Sequence, residues 1–346
     1  MTSPRPVRVA VIGCGLIAQR SHFPAYAAAP EAEIAGVVSL IPEEAQNAVA
    51  HFGAQRILPS WEAAVADPDV DAIDICTPNY LHAPIAIAAA RAGKHVCVEK
   101  PMATRLEDAN AMVAAARENG VYLTVGHNLR FAPIFQTMRK AMQDGVIGRP
   151  FAARGVYMHA GPDESWGSTA QWFWAEATAG GGALLDMGIH MIDVMRWIIG
   201  RRVVEVSAML SRHLKPTFAD DTAFVLMRFD GDLVASVQAA WSARPSSDRE
   251  LVIHGEEGNI AMGRSSGEPL VYNVRGADRP SRIVPDIPTT TDPDTPYLDF
   301  VRAIQQGREP QVTGEDGRDS LAIALAAYES ARTGHTVQVP SDTIRE

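Results

Sequence analysis

Apolar and polar positions in the first third of the chain follow two alternating periods. Alanine-rich runs with helical spacing, at 81–92 and 105–119, separate short β-branched runs. The short runs predict strands at residues 8–12, 33–39, 71–76, 95–99 and 121–126. Strands that alternate with helices form a parallel sheet covered by helices on both faces. The pattern therefore predicts an N-terminal α/β domain built on a doubly wound parallel sheet.

From residue 151 the pattern changes to strand-like runs at short spacing. These runs cover residues 151–159, 203–212, 222–229, 233–241 and 250–254. Glycine-containing turns at 231–232 and 255–258 are typical of a largely antiparallel sheet. Residues 269–296 are rich in Pro, Asp and Thr and predict a long surface loop. Closing helices are predicted at 296–306 and 317–333.

Length and composition narrow the class of protein. A chain of 346 residues exceeds the usual size of one hydrophobic core, so we expect two domains. The net charge of −10, without a Lys or Arg cluster, argues against nucleic acid and anionic membrane as partners. No uninterrupted apolar run approaches the ~18 residues that span a bilayer. Cys14, Cys76 and Cys97 lie in apolar runs without CxxC spacing, so we expect buried free thiols and a cytoplasmic protein.

A glycine pattern, Gly13-Cys14-Gly15-Leu16-Ile17-Ala18, follows the first strand directly and opens a helix. Gly13 permits a tight turn, and Gly15 lets a pyrophosphate approach backbone N–H groups at the helix N-terminus. Ala18 allows the helix to pack closely on the strand, while Leu16 and Ile17 lie within the turn. In this context the pattern predicts a Rossmann domain that binds a dinucleotide.

The end of the second strand is where such domains read the ribose of the cofactor. An acidic residue there would bind the 2′-hydroxyl of NAD, but this chain has Ser39. Loss of the carboxylate favours NADP, yet no Lys or Arg follows to hold a 2′-phosphate, and Glu43 and Glu44 lie nearby. The identity of the cofactor, NAD or NADP, therefore stays open, with a slight preference for NAD.

Polar residues also follow the later strands of the first domain, at the carboxyl ends where ligands bind. The candidates for contact with the cofactor there are Thr77, Pro78, Asn79, His82, Glu99, Lys100 and Asn128. Thr77 and Asn79 fit a ribose or a nicotinamide amide, and equally a turn with N-capping. Lys100 would lie beside the nicotinamide, whose positive charge lowers the pKa of the amine. The amine could then exchange a proton with a carbonyl or alcohol oxygen.

Residues 180–193 combine a glycine triplet with a periodic apolar run that predicts a buried helix. The glycines let the backbone pass close to a neighbouring group. Asp186 and His190 interrupt the run at a spacing that places them about 40° apart on one helix face. A carboxylate can orient an imidazole for general acid–base catalysis, although the same pair fits a satisfied core histidine. Asp193 has no second histidine or carboxylate cluster near it in sequence, so no metal site is predicted.

Together these segments closely resemble the Gfo/Idh/MocA family of NAD(P)-dependent oxidoreductases, almost from end to end. The EKP sequence at 99–101 and the GGGxxxDxGxH pattern over 180–190 make the resemblance specific. It implies a Rossmann domain, expected over 1–128, and a substrate-binding α/β domain over 129–346, with the helix near 317–333 packed back on the first domain. The second domain is expected to hold a large, mostly antiparallel open sheet through which the protein forms a homodimer or homotetramer.

The resemblance also implies roles for individual residues. Lys100, Asp186 and His190 match the catalytic lysine, aspartate and histidine of the family. His190 would act as general acid or base on the reacting oxygen and Asp186 would orient it. Lys100 would hydrogen-bond the same oxygen and share the proton transfer, while hydride passes between the carbinol carbon and nicotinamide C4. Besides these three, we expect substrate contacts from Arg130, Tyr157 and Trp172.

The leading hypothesis is a dehydrogenase or reductase acting on a secondary alcohol or ketone of a sugar, an inositol or a related cyclic polyol. A second hypothesis is a glycoside hydrolase that transiently oxidises its sugar on a tightly held NAD. A third is a non-catalytic regulator that senses the dinucleotide. The intact set of Lys100, Asp186 and His190 argues against the regulator, because a sensor needs no proton-transfer groups.

Overall fold

The computed structural model describes residues 5–245, 247–263, 267–276, 281–288 and 295–340. The chain divides into two compact units. The first comprises Met1–His127 and Asp294–Arg318, and the second comprises Asn128–Pro293 and Asp319–Glu346. The first unit thus includes a segment from the C-terminal part of the chain.

The first unit contains a five-stranded sheet in which every neighbouring pair is parallel. Its strands are β1 (Val7–Ile12), β2 (Ala32–Val38), β3 (Ala72–Ile75), β4 (His95–Val98) and β5 (Leu123–Val125), in the order β2-β1-β3-β4-β5. The connecting helices are α1 (Phe23–Ala28), α2 (Pro42–Phe52), α3 (Trp61–Ala66), α4 (His82–Arg91) and α5 (Leu106–Glu118). The strands are almost wholly buried, as expected for a parallel sheet covered on both faces. The predicted doubly wound sheet is confirmed.

The outer side of β2 is covered by a short extended segment. Val37 and Ile57 form an isolated parallel bridge, the Val37 N–H donates to the Arg56 carbonyl, and the Leu58 N–H donates to the Val37 carbonyl. The order of extended segments therefore reverses between β1 and β3. At such a reversal, ligands bind beyond the carboxyl ends of the strands.

The second unit contains a nine-stranded sheet. Its helices are α6 (Pro133–Gln143), α7 (Gly161–Trp166), α8 (Glu176–Ala179) and α9 (Ile189–Ile199). Its strands are β6 (Pro150–Met158), β7 (Val203–Ser211), β8 (Thr222–Phe229), β9 (Val234–Ala240), β10 (Asp248–Gly255), β11 (Gly258–Met262), β12 (Leu270–Val274), β13 (Ser281–Ile283) and a final β14 (Val337–Gln338). The order is β13-β12-β11-β10-β6-β9-β8-β7-β14, and only β6 and β9 pair in parallel. This confirms the predicted mostly antiparallel open sheet.

Two further helices lie between β13 and β14 in the sequence, α10 (Pro296–Gln306) and α11 (Gly314–Thr333). Tyr297, Phe300 and Val301 of α10 are buried in the same apolar cluster as the side chains of β1. The boundary between the two units, at residues 318 and 319, falls within α11.

One face of the large sheet is packed against α9. Gly155 of β6 lies so close to the Met191 side chain that a Cβ would overlap it. On the opposite face of β8, alternate side chains stay exposed, including Phe224 at 53% and Leu226 at 62%. Met209 of β7 is 82% exposed. The sheet therefore has one covered face and one apolar face open to solvent in the single chain.

The prediction of a surface loop over residues 269–296 is wrong in part, because β12 and β13 lie within it. Leu270, Val271 and Tyr272 are buried, and β12 pairs with β11 over five residues. The surrounding prolines and aspartates masked this short apolar run. Residues 277–280 and 289–294 of the predicted loop lie outside the described residues. Among the described residues, no helix combines the length and apolar character needed to cross a membrane.

Candidate active site

The glycine turn after β1 has the shape that a pyrophosphate needs. Gly13 has φ +97°, and a Cβ there would lie 2.5 Å from the Cys76 carbonyl oxygen, so only glycine fits. At Gly15, by contrast, the nearest described atom to a Cβ would be Glu44 Oε1, 4.0 Å away. Leu16 and Ile17 are 38% and 41% exposed. The open space above Gly15 and the helix that begins beside it fit a dinucleotide.

The segment after β3 carries a second feature that points to a ligand. Thr77 Oγ1 is buried and has no hydrogen-bond partner among the described residues. A buried hydroxyl of this kind is costly unless something satisfies it. Pro78 leads into a single 3₁₀ turn, Asn79–Leu81, in which Asn79 is buried. A ribose or amide group of the cofactor would supply the partner that Thr77 does not find among the described residues.

His82 lies between two backbone carbonyl groups. Its Nδ1 lies 2.8 Å from the Pro101 carbonyl oxygen and its Nε2 lies 2.9 Å from the Thr77 carbonyl oxygen. The ring is fully buried, and burial lowers its pKa. Because both nitrogens face protein backbone, His82 connects two loops, and its contact with the cofactor stays a prediction.

The carboxylate of Glu99 is also turned into the protein. Tyr297 donates its hydroxyl to Glu99 Oε1 at 3.0 Å, and the Lys100 N–H donates to Oε2 at 3.2 Å. A Cβ on Gly126 would lie 2.7 Å from the same Oε1. These contacts hold the Glu99 carboxylate against protein groups and fix the backbone of Lys100, while the contact of Glu99 with the cofactor stays a prediction. Lys100 itself is half-buried at the end of β4.

Beneath Lys100, a buried histidine joins two carboxylates. His22 lies 2.7 Å from Asp74 Oδ2 through Nδ1 and 3.0 Å from Glu99 Oε1 through Nε2. Burial alone would lower the pKa of His22, but the charge of Asp74 and the hydrogen bonds to both carboxylates raise it to about 9. Burial likewise opposes ionisation of Glu99, and the hydrogen bond and charge of His22 outweigh it and lower that pKa to about 2. The group is a buried ion network of opposite charges.

His22, Asp74 and Cys76 also come close enough together to be considered as metal ligands. The 2.7 Å between His22 Nδ1 and Asp74 Oδ2 is, however, a hydrogen-bond distance. Two ligands about 2.0–2.2 Å from one tetrahedral ion would stand roughly 3.4 Å apart. The geometry therefore indicates a charge-assisted hydrogen bond.

In the second unit, the glycine triplet packs against protein. A Cβ on Gly182 would overlap the main-chain carbonyl oxygen of Asp220. The side-chain Oδ2 of Asp220 accepts a hydrogen bond from the Leu184 N–H at 2.8 Å. Tyr328 donates its hydroxyl to Asp220 Oδ1 at 2.7 Å and accepts from the Gly182 N–H at 2.9 Å. The close approach that the glycines permit is thus made to Asp220, at the start of the helix that carries the acid–base pair.

Asp186 and His190 occupy the beginning of that helix. Asp186 lies in a π-helical turn, Leu184–Gly188, and His190 lies in the first turn of α9. The expected angle of about 40° assumed a regular α-helix, so it does not apply across the wider turn. The Trp241 indole N–H donates to Asp186 Oδ2 at 2.9 Å. The two side chains are 9% and 8% exposed, which places both in a largely desolvated setting.

Tyr157, one of the predicted substrate contacts, packs near His190. Its ring centroid is 5.9 Å from that of His190, and the Arg249 guanidinium lies 4.6 Å from the Tyr157 centroid. Trp172 stacks on Phe173 at 3.8 Å. Trp174 packs edge-on against Trp241 at 5.7 Å, so it supports the residue that holds Asp186.

Arg130 is held away from solvent by an ion pair. Its Nε and Nη2 donate to the two oxygens of Asp193 at 2.8 and 2.6 Å, and Ser320 donates to the same carboxylate at 3.1 Å. With Arg130 2% and Asp193 1% exposed, this bidentate pair connects two parts of the second unit. The ion pair gives Arg130 a structural role, and its contact with substrate stays a prediction. Asn128, two residues earlier, is exposed.

Two family models together match most of the chain. Residues 7–127 match the GFO_IDH_MocA model, an oxidoreductase family with an NAD-binding Rossmann fold, and residues 135–261 match the GFO/IDH/MocA C-terminal domain. The chain belongs to the GFO/IDH/MocA family. It is an oxidoreductase, as its motifs predicted, and NAD is the favoured cofactor of its Rossmann fold.

Several members of the GFO/IDH/MocA family are similar to the chain over nearly its whole length. A 1,5-anhydro-D-fructose reductase from Ensifer adhaerens is 35% identical, covering 88% of this chain and 91% of that protein. A levoglucosan dehydrogenase from Pseudarthrobacter phenanthrenivorans is 30% identical over 96% and 98%. A solved structure of levoglucosan dehydrogenase with NADH and levoglucosan has a TM-score of 0.86, at 30% identity and 97% and 100% coverage.

Sequence patterns missed several residues that position the GFO/IDH/MocA site. Asp74 had a usable signal, because a carboxylate inside a buried parallel strand needs a partner. No comparable signal in the sequence marks His22, Tyr297 and Trp241, because each is far in sequence from its partner and contacts it only in the folded chain.

Proposed function

We propose that this protein transfers a hydride between NAD and a secondary alcohol or ketone of a sugar, an inositol or a related cyclic polyol. In this proposal Lys100, Asp186 and His190 manage the proton of the reacting oxygen. The proposal is supported by family membership and by the two relatives described above, both of which are named for sugars. Both are also named as dehydrogenase or reductase, which favours net redox chemistry over hydrolysis or sensing.

NAD, when bound, supplies the ring that takes up or returns the hydride. His190 is the general base for a hydroxyl proton in the oxidative direction and the general acid in the reverse direction. Lys100 donates a hydrogen bond to the substrate oxygen and stabilises its negative charge. Trp241 holds the Asp186 carboxylate in one orientation, and in the proposal Asp186 in turn orients the imidazole of His190.

The observation that carries the proposal is the buried setting of Asp186 and His190. A carboxylate and an imidazole, each under a tenth exposed, stand at the start of one helix, with a tyrosine ring packed beside the imidazole. In a largely dry setting, charge–charge interactions are stronger than in water. Tyr157 is the proposed substrate contact, because aromatic faces pack against apolar sugar faces.

The direct test is a substrate screen. Purified protein is incubated with NAD or NADH and a panel of sugars, anhydrosugars, inositols and keto-sugars, and cofactor absorbance is followed. With the best substrate, Lys100→Met and His190→Ala should lower turnover by about 10²–10⁴-fold, while NADH binding persists. Lys140→Met and His254→Ala, at exposed positions, serve as matched controls. Normal turnover in both site variants would reject the proposed roles.

We also propose a cytoplasmic homo-oligomer assembled through the open face of the large sheet. Phe224, Leu226 and Met209 leave an apolar surface that would be covered by a second copy. The three cysteines are free and buried, as suits a reducing compartment. Sedimentation of the wild type and of Leu226→Glu tests the assembly. A monomeric wild type would contradict it.

A further inference from the structure

The carboxyl end of β2 receives a carboxylate from another element. Ser39 Oγ donates a hydrogen bond to Glu44 Oε2 at 2.9 Å and accepts one from the Ile41 N–H at 3.1 Å. Glu44 lies in the first turn of α2, which begins at Pro42. The Ser39 hydroxyl is therefore oriented by the loop, and it holds the Glu44 side chain beside the end of the strand.

The second oxygen of Glu44 faces the glycine turn. Glu44 Oε1 is the nearest described atom to the space above Gly15, at 4.0 Å from a Cβ built there. The charge of Glu44 also reaches Cys14, whose thiol pKa is raised to about 12 by burial first and by this charge second. One carboxylate thus spans the gap between the end of β2 and the turn after β1. In a Rossmann domain the adenosine ribose lies in that gap.

We infer that Glu44 determines cofactor choice by accepting a hydrogen bond from the ribose 2′-hydroxyl and repelling a 2′-phosphate. In other Rossmann domains this role belongs to an acidic residue at the end of the second strand, the position that Ser39 occupies here. In this chain Glu44 takes over that role. The carboxylate comes from the following helix, and Ser39 positions it. The inference rests on the proposed function, in which NAD is the cofactor.

The surroundings of Glu44 agree with this assignment. Residues 39–55 contain no Lys or Arg that could neutralise a 2′-phosphate, which carries a charge of about −1.5 to −2. Leu40 is 97% exposed and Ile41 is 51% exposed, immediately beyond β2. Two apolar side chains left open at this point provide a surface for the adenine ring.

A simpler role for Glu44 is general stabilisation of a helix N-terminus, which acidic residues in the first turn provide. Glu43 offers the matched control, because it lies in the same turn, carries the same charge and is exposed. If Glu44 acts only on the helix, glutamine at either position should have the same effect. If Glu44 reads the ribose, only Glu44→Gln should change nucleotide discrimination.

The experiment measures direct binding to the full-length protein. Dissociation constants are determined by calorimetry for ADP-ribose and 2′-phospho-ADP-ribose, and by fluorescence for NADH and NADPH. The first two probes lack the nicotinamide, so they report the adenosine half without any catalytic step. The proteins are wild type, Glu44→Gln, Glu43→Gln and Ser39→Ala, each checked for an unchanged melting temperature.

We expect the wild type to prefer ADP-ribose and NADH over their 2′-phosphorylated forms. Glu44→Gln should lower the ratio of the dissociation constants of the phosphorylated and unphosphorylated forms by about tenfold or more, as expected for loss of one charged hydrogen bond. Ser39→Ala should lower it less, and Glu43→Gln should leave it unchanged. An unchanged preference in Glu44→Gln, or equal changes in both glutamine variants, would overturn the inference while leaving NAD as the cofactor. A wild type that binds neither dinucleotide would overturn the proposed function together with the inference.

Discussion

Replacement of His22 by glutamine removes the positive charge between two buried carboxylates. His22 and Asp74 are fully buried, and Glu99 is 8% exposed, so solvent screens their interactions little. Glutamine can still donate one hydrogen bond, but it leaves two negative charges without their shared counter-charge. Removing one partner of a buried ion pair typically costs about 3–5 kcal/mol. We expect His22→Gln to lose stability within this range at neutral pH.

The loss should depend on pH in a defined direction. The pKa of His22 rises from 6.5 to about 9 in the folded protein, so the folded state binds the proton more tightly than the unfolded state. The stabilisation is complete below about pH 6.5 and is lost as the pH rises through about 9. At 1.36 kcal/mol per pKa unit, the shift corresponds to about 3 kcal/mol. The lowered pKa of Glu99 arises from the same contact with His22, so it contributes no separate free energy beyond this value.

The chain offers a direct probe of this unit. All three cysteines lie in the first unit and are buried, so pulsed thiol labelling along a urea series reports its unfolding. The stability difference between wild type and His22→Gln should shrink by about 3 kcal/mol between pH 6 and pH 10. His51→Gln, at an exposed position in α2, is the control and should show no such trend.

If His22→Gln does not fold, Tyr297→Phe tests the same network more gently. It removes one hydrogen bond to Glu99 and should cost about 1 kcal/mol. A stability difference that stays constant from pH 6 to pH 10, in a folded His22→Gln, would refute the assignment of a protonated His22.

Four further substitutions have distinct expected outcomes. Gly13→Ala should lower the melting temperature, because its Cβ would lie 2.5 Å from a carbonyl oxygen, whereas Gly15→Ala should fold normally and bind NADH more weakly. Equal stability in calorimetry for both variants would contradict this. Trp241→Phe should lower kcat by about 10–100-fold with NADH affinity unchanged, because the Asp186 carboxylate loses a hydrogen bond. Unaltered kcat in steady-state assays would show that Asp186 needs no such support. Asp193→Asn should destabilise the second unit by about 3–5 kcal/mol in urea, because Arg130 stays buried without its counter-charge; a loss below 1 kcal/mol would count against the pair.

The fold was predictable because its signals are local and repeated. Each strand of the first unit is a short β-branched run, and each connection contains a helix-forming run, so periodicity alone yields the parallel sheet. The large sheet was predictable for β6 to β10 for the same reason. The prediction failed at β12, where only five residues, Leu270–Val274, precede a segment rich in proline and aspartate. A short strand buried by its neighbours has too little sequence to show a period.

The residue types of the candidate site were predictable, but their orientations were not. His82, Glu99 and Arg130 all follow strands, and each was expected to contact cofactor or substrate. In the structure each is satisfied by protein groups, and the deciding partners are far away in sequence, such as Tyr297 for Glu99 and Asp193 for Arg130. A polar side chain after a strand can face a ligand or a buried partner, and local sequence is the same in both cases.

The position of a charge within a strand carries more information than its position after one. Asp74 is fully buried inside β3 with apolar neighbours on both sides, and an ionised carboxylate in that setting favours a buried counter-charge. Only a histidine, lysine or arginine could supply that charge, and His22 lies on the helical segment that follows the glycine turn and packs against the strands. A charged residue in the middle of an otherwise apolar parallel strand is therefore a signal for a buried ion network. Applied to this chain, that rule would have identified Asp74, and through it the network that fixes the backbone of Lys100.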